Sequence, residues 1–131
     1  MSASALPVVI VGAGLAGLSA ALELADNRPV CVLAKRGLTE AATPWAQGGI
    51  VGVLGDDDSV EAHVQDTETA GAGLVDDATA RFVSQHSARA IQWLLAQGVQ
   101  LTHDARGPMG LHLTREGGHG VRRVAHAADA T

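Results

Sequence analysis

Three groups of residues in this chain have types and spacings that bear on chemistry. The first is Gly12, Gly14 and Gly17, a G-x-G-x-x-G that follows Val8-Val9-Ile10-Val11 and precedes Leu15, Leu18, Leu22 and Ala25 on one helical face. Gly12 permits a tight turn, Gly14 lets backbone approach a pyrophosphate, and Gly17 lets the helix lie close to the strand. A helix start there offers N–H groups and the positive end of a dipole to an anion. Such a triplet is weak evidence alone. Between a strand pattern and a helix pattern it predicts dinucleotide binding, with a purely structural glycine turn as the bland alternative. The second group is Thr43 to Gly49, inside an irregular stretch that begins at Gly37. Long ordered loops are usually functional. Gly48-Gly49 lets backbone lie flat against a planar ring, and Thr43 and Gln47 add hydrogen-bonding groups. An ordinary surface loop explains the same residues equally well. The third group is basic: His103, Arg106, His112, Arg115, His119, Arg122, Arg123 and His126, opposed only by Asp104, Glu116 and Asp129. Arg and His suit an anion or carboxylate pocket, because guanidinium grips carboxylate bidentately. The competing reading is a solvated basic face. Gly117-Gly118, between Glu116 and His119, favours a shaped site. The histidines lack zinc-ligand spacing, and no aromatic residues interleave as an RNA-binding surface requires.

These groups need elements to position them. The first helix ends near Ala25-Asp26-Asn27-Arg28-Pro29, and Val30-Cys31-Val32-Leu33 reads as a second strand, apolar on both faces like an inner parallel strand. A right-handed β-α-β unit is complete by about residue 34. The carboxylate that commonly follows the second strand to hold ribose hydroxyls is missing; Ala34-Lys35-Arg36 stands there instead. The cations suit a 2′-phosphate, the adenosine part of FAD, or solvent, and spacing does not choose. Ile50 to Leu54 predicts a strand and Gly55 to Asp58 a turn. Asp58 is expected to cap a helix, with Glu61 completing a capping box. That helix runs to Ala70 and ends at Gly71. His63, Asp66, Thr67 and Ala70 share one side of it, expected to be a polar face packed near a loop. A further helical stretch runs from Asp76 or Asp77 to Gln97, with Gly98 as its stop. Phe82, Val83, Ile91, Leu94 and Leu95 are its apolar positions, and Ser84-Gln85-His86-Ser87 predicts a break or kink. Trp93 is expected in the core, and Val99 to Leu101 as a short strand.

Composition sets outer bounds. The chain has 131 residues, 47% hydrophobic and 18% charged, so it is able to bury a core. Its aromatics are Trp45, Phe82 and Trp93, which makes the core aliphatic. A net charge of −5 argues against a surface that binds nucleic acid. The single cysteine, Cys31, fits a reducing, cytoplasmic setting. Leu6 to Leu22 is almost wholly apolar, but no basic residue precedes it and Glu23 and Asp26 follow at once. It is therefore read as neither signal peptide nor membrane span.

Four stretches together resemble the L-aspartate oxidase family, within the flavoprotein superfamily of succinate dehydrogenase and fumarate reductase. They are Val11 to Ala21; Thr43-x-Trp45-Ala46-Gln47-Gly48-Gly49-Ile50; Asp66-Thr67-x-x-Ala70-Gly71-Ala72-Gly73-Leu74; and Leu113-Thr114-Arg115-Glu116-Gly117-Gly118-His119 with His126 to Thr131. The order is collinear over nearly the whole chain. The first motif is shared by many flavoproteins, Ala46 to Gly49 narrows it to the superfamily, and Leu113 to His119 is the specific signal.

The resemblance implies an α/β, Rossmann-like FAD-binding βαβ fold that is incomplete. Residues 1–131 match the N-terminal part of the FAD-binding domain. The remainder of that domain, a capping domain, a helical C-terminal domain and the arginine serving as catalytic acid or base are missing from the match, so no turnover is expected from this stretch alone. The whole protein is implied to oxidise L-aspartate to iminoaspartate, with dioxygen or fumarate as acceptor, and quinolinate synthase then uses the product in NAD biosynthesis. Gly12, Ala13, Gly14, Leu15, Ala16 and Gly17 are implied to form the pyrophosphate turn. Lys35 takes the adenosine side, and Ala42, Thr43, Pro44, Trp45, Ala46, Gln47, Gly48 and Gly49 the flavin side. Glu116 is implied to orient the substrate amine, and His119 to contact substrate. A dicarboxylate without an amine, such as succinate, is disfavoured by that glutamate. Histidine attaches FAD covalently in the succinate dehydrogenase branch; it aligns with Ala42, so FAD is expected to be non-covalent. The family often has serine at Ala42 and at Gly120. An NADP-dependent reductase, motivated by Lys35-Arg36, and a non-catalytic nucleotide-binding module are the competing readings.

Overall fold

The computed structural model describes residues 6–37, 40 and 49–127. Its chain divides into two compact units, Met1–Gln47 and Gly48–Thr131. In the first, strand β1 (Val8–Val11) leads into helix α1 (Leu15–Ala25) and strand β2 (Val30–Leu33). The strands pair in parallel, Val8 opposite Val30 and Val11 opposite Leu33, as the β-α-β expectation requires. Helix α1 lies on the side of the sheet that carries Ile10: a Cβ built on Gly17 comes within 3.5 Å of the Ile10 Cγ2 atom.

Two details of that unit differ from the sequence reading. The half-buried face of α1 includes Gly17, Ala21 and Leu24, whereas Leu15, Leu18 and Leu22 are exposed. The small residues face the sheet because close packing needs them there, which leaves the leucine stripe turned outward. Strand β2 is also not covered on both sides. Val9, Val11, Cys31 and Leu33 share one face of the sheet and are exposed, because no described element of that unit packs on that face.

The second unit is an antiparallel sheet with two helices. Strand β5 (Val124–His126) lies centrally, with β3 (Gly49–Val51) on one side and β4 (Leu113–Thr114) on the other. Strand β3 is shorter than the expected Ile50–Leu54. It stops at Gly52, where any Cβ would lie 2.5 Å from Ile91 Cδ1. The expected strand at Val99–Leu101 is not formed; a single bridge pairs His103 with Leu111. Helices α2 (Val60–Gly71) and α3 (Asp77–Ala96) complete the unit. Ile91 of α3 joins Leu111, Leu113 and Ala125 in an aliphatic core, against which Ile50, Leu54, Leu95 and Leu101 pack. Trp93 is half-buried, while Phe82 and Val83 are exposed.

Helix α3 has no break at Ser84–Ser87. The Ser87 hydroxyl donates to the Ser84 carbonyl at 2.7 Å and accepts from the Val53 N–H at 3.0 Å. The polar run thus holds the chain leaving β3 instead of interrupting the helix. Asp76 caps α3 by accepting from the Thr79 N–H at 2.8 Å, and Gly98 follows its end at φ +89°.

Candidate functional site

The first candidate site is a cleft of about 390 Å³ lined by Gly12, Ala13, Gly14, Ala34, Lys35, Arg36, Gly37 and Glu40. Local geometry dictates its glycines. Gly12 sits at φ +116°, where an L side chain is strained, and its N–H donates to the Leu33 carbonyl at 2.8 Å. A Cβ on Gly17 would collide with the Gly12 carbonyl oxygen, so the start of α1 and the turn touch backbone to backbone. Gly14 is the N-cap of α1. This turn, a helix start and two cations fit the diphosphate and adenosine end of FAD. Glu40 also lines the cleft, 3.8 Å from the Arg36 guanidinium. The ribose carboxylate was expected directly after β2; Glu40 stands seven residues past Leu33, and its N–H donates to the Gly37 carbonyl at 3.0 Å. Ala42, Thr43, Pro44, Trp45, Ala46, Gln47 and Gly48 lie outside the described residues. Gly49 opens β3 opposite His126, and a Cβ on it would strike the Ala125 carbonyl oxygen. Strand packing is therefore a structural reason for that glycine.

The second candidate site is the Arg115–Gly120 turn and what holds it. Thr114 ends β4; Glu116 is exposed; the Glu116 carbonyl accepts from the His119 N–H at 3.3 Å. Gly118 takes φ +84°, and a Cβ on it would lie 3.6 Å from Ala70 of α2. The Gly120 N–H donates to Asp66 Oδ2 at 2.6 Å. Asp66 Oδ2 also accepts from Arg123 Nη1 at 2.6 Å. The rest of that guanidinium forks onto Asp58, Nε to Oδ2 at 2.9 Å and Nη2 to Oδ1 at 2.7 Å. The Arg123 and Asp58 side chains are 1% and 0% exposed, so this is a buried ion pair with a second carboxylate at its edge.

Burial pulls the Arg123 pKa down, but the hydrogen bonds and charges of Asp58 and Asp66 outweigh it and raise the guanidinium above its ordinary value. The Gly120 N–H, opposed by burial and reinforced by Arg123, lowers the Asp66 carboxyl below its ordinary value. Burial, with the Arg123 charge, lowers His63. His63 meets His119 edge to face, ring centroids 6.0 Å apart, and the Nδ1 atoms of both are buried without a partner among the described residues.

Asp58 therefore does not cap α2. Ser59 does, accepting from the Ala62 N–H at 3.1 Å, while Asp58 turns inward to Arg123. The expected basic cluster separates into distinct roles. Arg123 is buried structure. His112 Nδ1 lies 2.9 Å from His126 Nε2. His112, Arg115 and Arg122 line a cleft of about 790 Å³ with Asp57. His103 and Arg106 are exposed. The polar face expected to pack near a loop does so, through His63, Asp66 and Ala70 against His119, Gly120 and Gly118; which loop it meets, and the part Asp58 plays through Arg123, were missed. The signal, acids and a histidine on the start and one face of a helix, names no distant partner. Among the described residues no group of three or more His, Cys, Asp or Glu is placed to hold a metal ion, and no helix is long and apolar enough to cross a membrane.

Comparison with known proteins bears on both sites. A family model described as FAD binding domain matches residues 7–131. L-aspartate oxidase 1 of Ralstonia nicotianae is 56% identical over 124 residues, covering 95% of this chain and 23% of its own length. L-aspartate oxidase of Pseudomonas aeruginosa is 50% identical over 129 residues, covering 95% and 24%. Among solved structures, Sdh1 of Mycobacterium smegmatis in complex with UQ1 superposes with TM-score 0.84 at 29% identity, over 95% of this chain and 21% of that one. A quinol fumarate reductase of E. coli gives 0.82 at 32%, over 95% and 22%. The chain thus spans about a quarter of the length of the curated relatives it matches.

Proposed function

This chain belongs to the FAD binding domain family, and from that premise we propose that it is the N-terminal part of an L-aspartate oxidase. The whole protein would oxidise L-aspartate to iminoaspartate, with dioxygen or fumarate as acceptor, and supply a quinolinate synthase in NAD biosynthesis in the cytoplasm. Support comes from the two relatives of that name, collinear over 95% of the chain. The observation that carries the substrate assignment is Glu116, an exposed carboxylate on a turn that β4 holds at one end and Asp66 at the other.

FAD, when bound, accepts the two electrons taken from the substrate and passes them on. The chain's own residues bind and orient. Gly12, Ala13, Gly14, Leu15, Ala16 and Gly17 form the pyrophosphate seat, with Lys35 and Arg36 on the adenosine side. Ala42 carries no imidazole, so FAD is held without a covalent bond. Residues 42–49 serve the flavin side. Glu116 pairs with the substrate ammonium, and His119 helps define the pocket. The catalytic acid or base lies in the part of the family not represented in this chain, so the isolated chain should not turn over substrate.

The test uses the full-length protein. Its spectrum should show flavin bands that acid releases into solution; a colourless protein that binds NADPH would return the reading to a reductase. Glu116→Gln should lower kcat/KM for L-aspartate oxidation about 10- to 100-fold, the worth of a charge-assisted hydrogen bond, while fumarate reduction changes little. Equal losses in the two reactions would remove the amine-orienting role.

A further inference from the structure

Among the described residues, no hydrogen bond or ion pair fixes where the Glu116 carboxylate stands. What the structure provides is an anchor from another element. Asp66, in the middle of α2, places a single oxygen, Oδ2, 2.6 Å from the Gly120 N–H and 2.6 Å from Arg123 Nη1. Gly120 ends the turn that begins at Arg115, and Arg123 is locked by its bidentate pair with Asp58. On the same face of α2, Ala70 lies against Gly118, and His63 meets the ring of His119. The turn that carries Glu116 is therefore seated along one helix face at Gly118, His119 and Gly120. Only Asp66 among these contacts is a charge-assisted hydrogen bond to the turn's backbone.

We propose that Asp66 is a positioning residue for substrate discrimination: by clamping Gly120 to the buried Arg123, it fixes the turn that presents Glu116 to the substrate amine. This rests on the Glu116 reading above. The physical reason is geometric. A carboxylate selects an ammonium over a group that lacks one only if it is held at bonding distance, and a shift of about 1 Å is enough to cost on the order of a hundredfold in rate. Losing Asp66 should thus penalise the amino substrate and spare the acceptor that has no amine.

The experiment measures, in the full-length holoenzyme, the ratio of kcat/KM for L-aspartate oxidation to kcat/KM for fumarate reduction in Asp66→Asn, Glu116→Gln and the double variant. Asp66→Asn keeps the side-chain shape and leaves Arg123 its pair with Asp58, so flavin content should be unchanged. The expected result is a ratio lowered about tenfold in Asp66→Asn, in the same direction as Glu116→Gln. The double variant should then be no worse than Glu116→Gln alone, because both changes disable one device. If Glu116→Gln lowers the ratio and Asp66→Asn does not, or if the two losses multiply, the positioning role is overturned while the Glu116 reading stands. If Asp66→Asn lowers both reactions equally, its role is only structural and the proposal fails. If Glu116→Gln leaves the ratio unchanged, the amine-orienting reading fails and takes the positioning role with it. Should Asp66→Asn fail to accumulate with flavin, Asp66→Glu takes its place under the same criteria. That change keeps every charge but adds a methylene, which displaces the carboxylate oxygen shared by the Gly120 N–H and Arg123 Nη1.

Discussion

His63 shows what burial does to one side chain. It is nine-tenths buried in α2 beside Arg123, with its Nδ1 unpartnered among the described residues. Desolvation and the Arg123 charge lower its pKa, against the smaller opposing pull of Asp58 and Asp66. Between that lowered value and the unfolded value of about 6.5, the unfolded chain binds a proton that the folded chain does not, so stability rises with pH through this window. The full-length protein should therefore lose melting temperature as pH falls below about 6.5, and His63→Phe should flatten that slope while keeping a ring against His119. Melting curves between pH 5 and 7.5 would decide it; an unchanged slope in the variant would assign the loss to other groups. The lowered Asp66 pKa has the opposite dependence on charge: it stabilises above the unfolded carboxyl value of about 3.9, and that contribution is lost as pH falls through its folded value. Between pH 5 and 7.5 the Asp66 contribution is fully present, so it does not shape the slope assigned to His63. None of these shifts was legible in the sequence, which shows that His63 and Asp66 share a helix face but not that Arg123 lies against it.

At the scale of elements, β1, α1 and β2 were readable because their signals are local. Four apolar residues, a glycine turn and a helical spacing follow one another within one unit, and parallel pairing across a helix is the expected outcome. The glycine turn is also where a substitution should be most damaging to FAD retention. Gly17→Ala sets a methyl group on the Gly12 carbonyl oxygen, so α1 must move off the turn. The expected result is a full-length protein purified largely without flavin, read from its absorbance ratio, and not restored by added FAD. Strands β4 and β5 were not readable. They are two and three residues long and exist only through pairing with each other and with β3. The serines of α3 misled for a related reason: Ser87 looks like an interruption until the Val53 N–H, 34 residues away in sequence, is found on its hydroxyl.

At the scale of the whole molecule, the longest-range side-chain hydrogen bonds among the described residues lie at Arg123, 65 residues from Asp58 and 57 from Asp66. They tie the entry to α2 and its middle to the last strand. A buried guanidinium is costly to desolvate, and its removal strands a buried carboxylate, which typically costs 3–5 kcal/mol, so about that loss is expected for Arg123→Met in denaturant unfolding. Arg123→Lys keeps the charge without the fork and should lose less. The exposed apolar residues of the first unit have a different meaning. Val11 is 84% exposed on one sheet face, and Leu15 and Leu22 of α1 are 48% and 51% exposed. Exposed apolar surface of this kind marks a contact face and not a finished exterior.

The sequence by itself determined the β-α-β start, the glycine turn, the helix caps at Asp76 and Gly98, and the likeness that points to FAD and an amino-dicarboxylate. Each is either local in the chain or a motif whose residue types are needed wherever it folds. Tertiary structure alone decided that Asp58 abandons helix capping for Arg123, that the basic residues from His103 to His126 split among separate roles, and that Asp66 seats the turn bearing Glu116. Those outcomes depend on which partner a charged group meets when it is taken out of water. Burial makes the nearest opposite charge far stronger than any local preference, and nothing in the order of residues states which charge that will be.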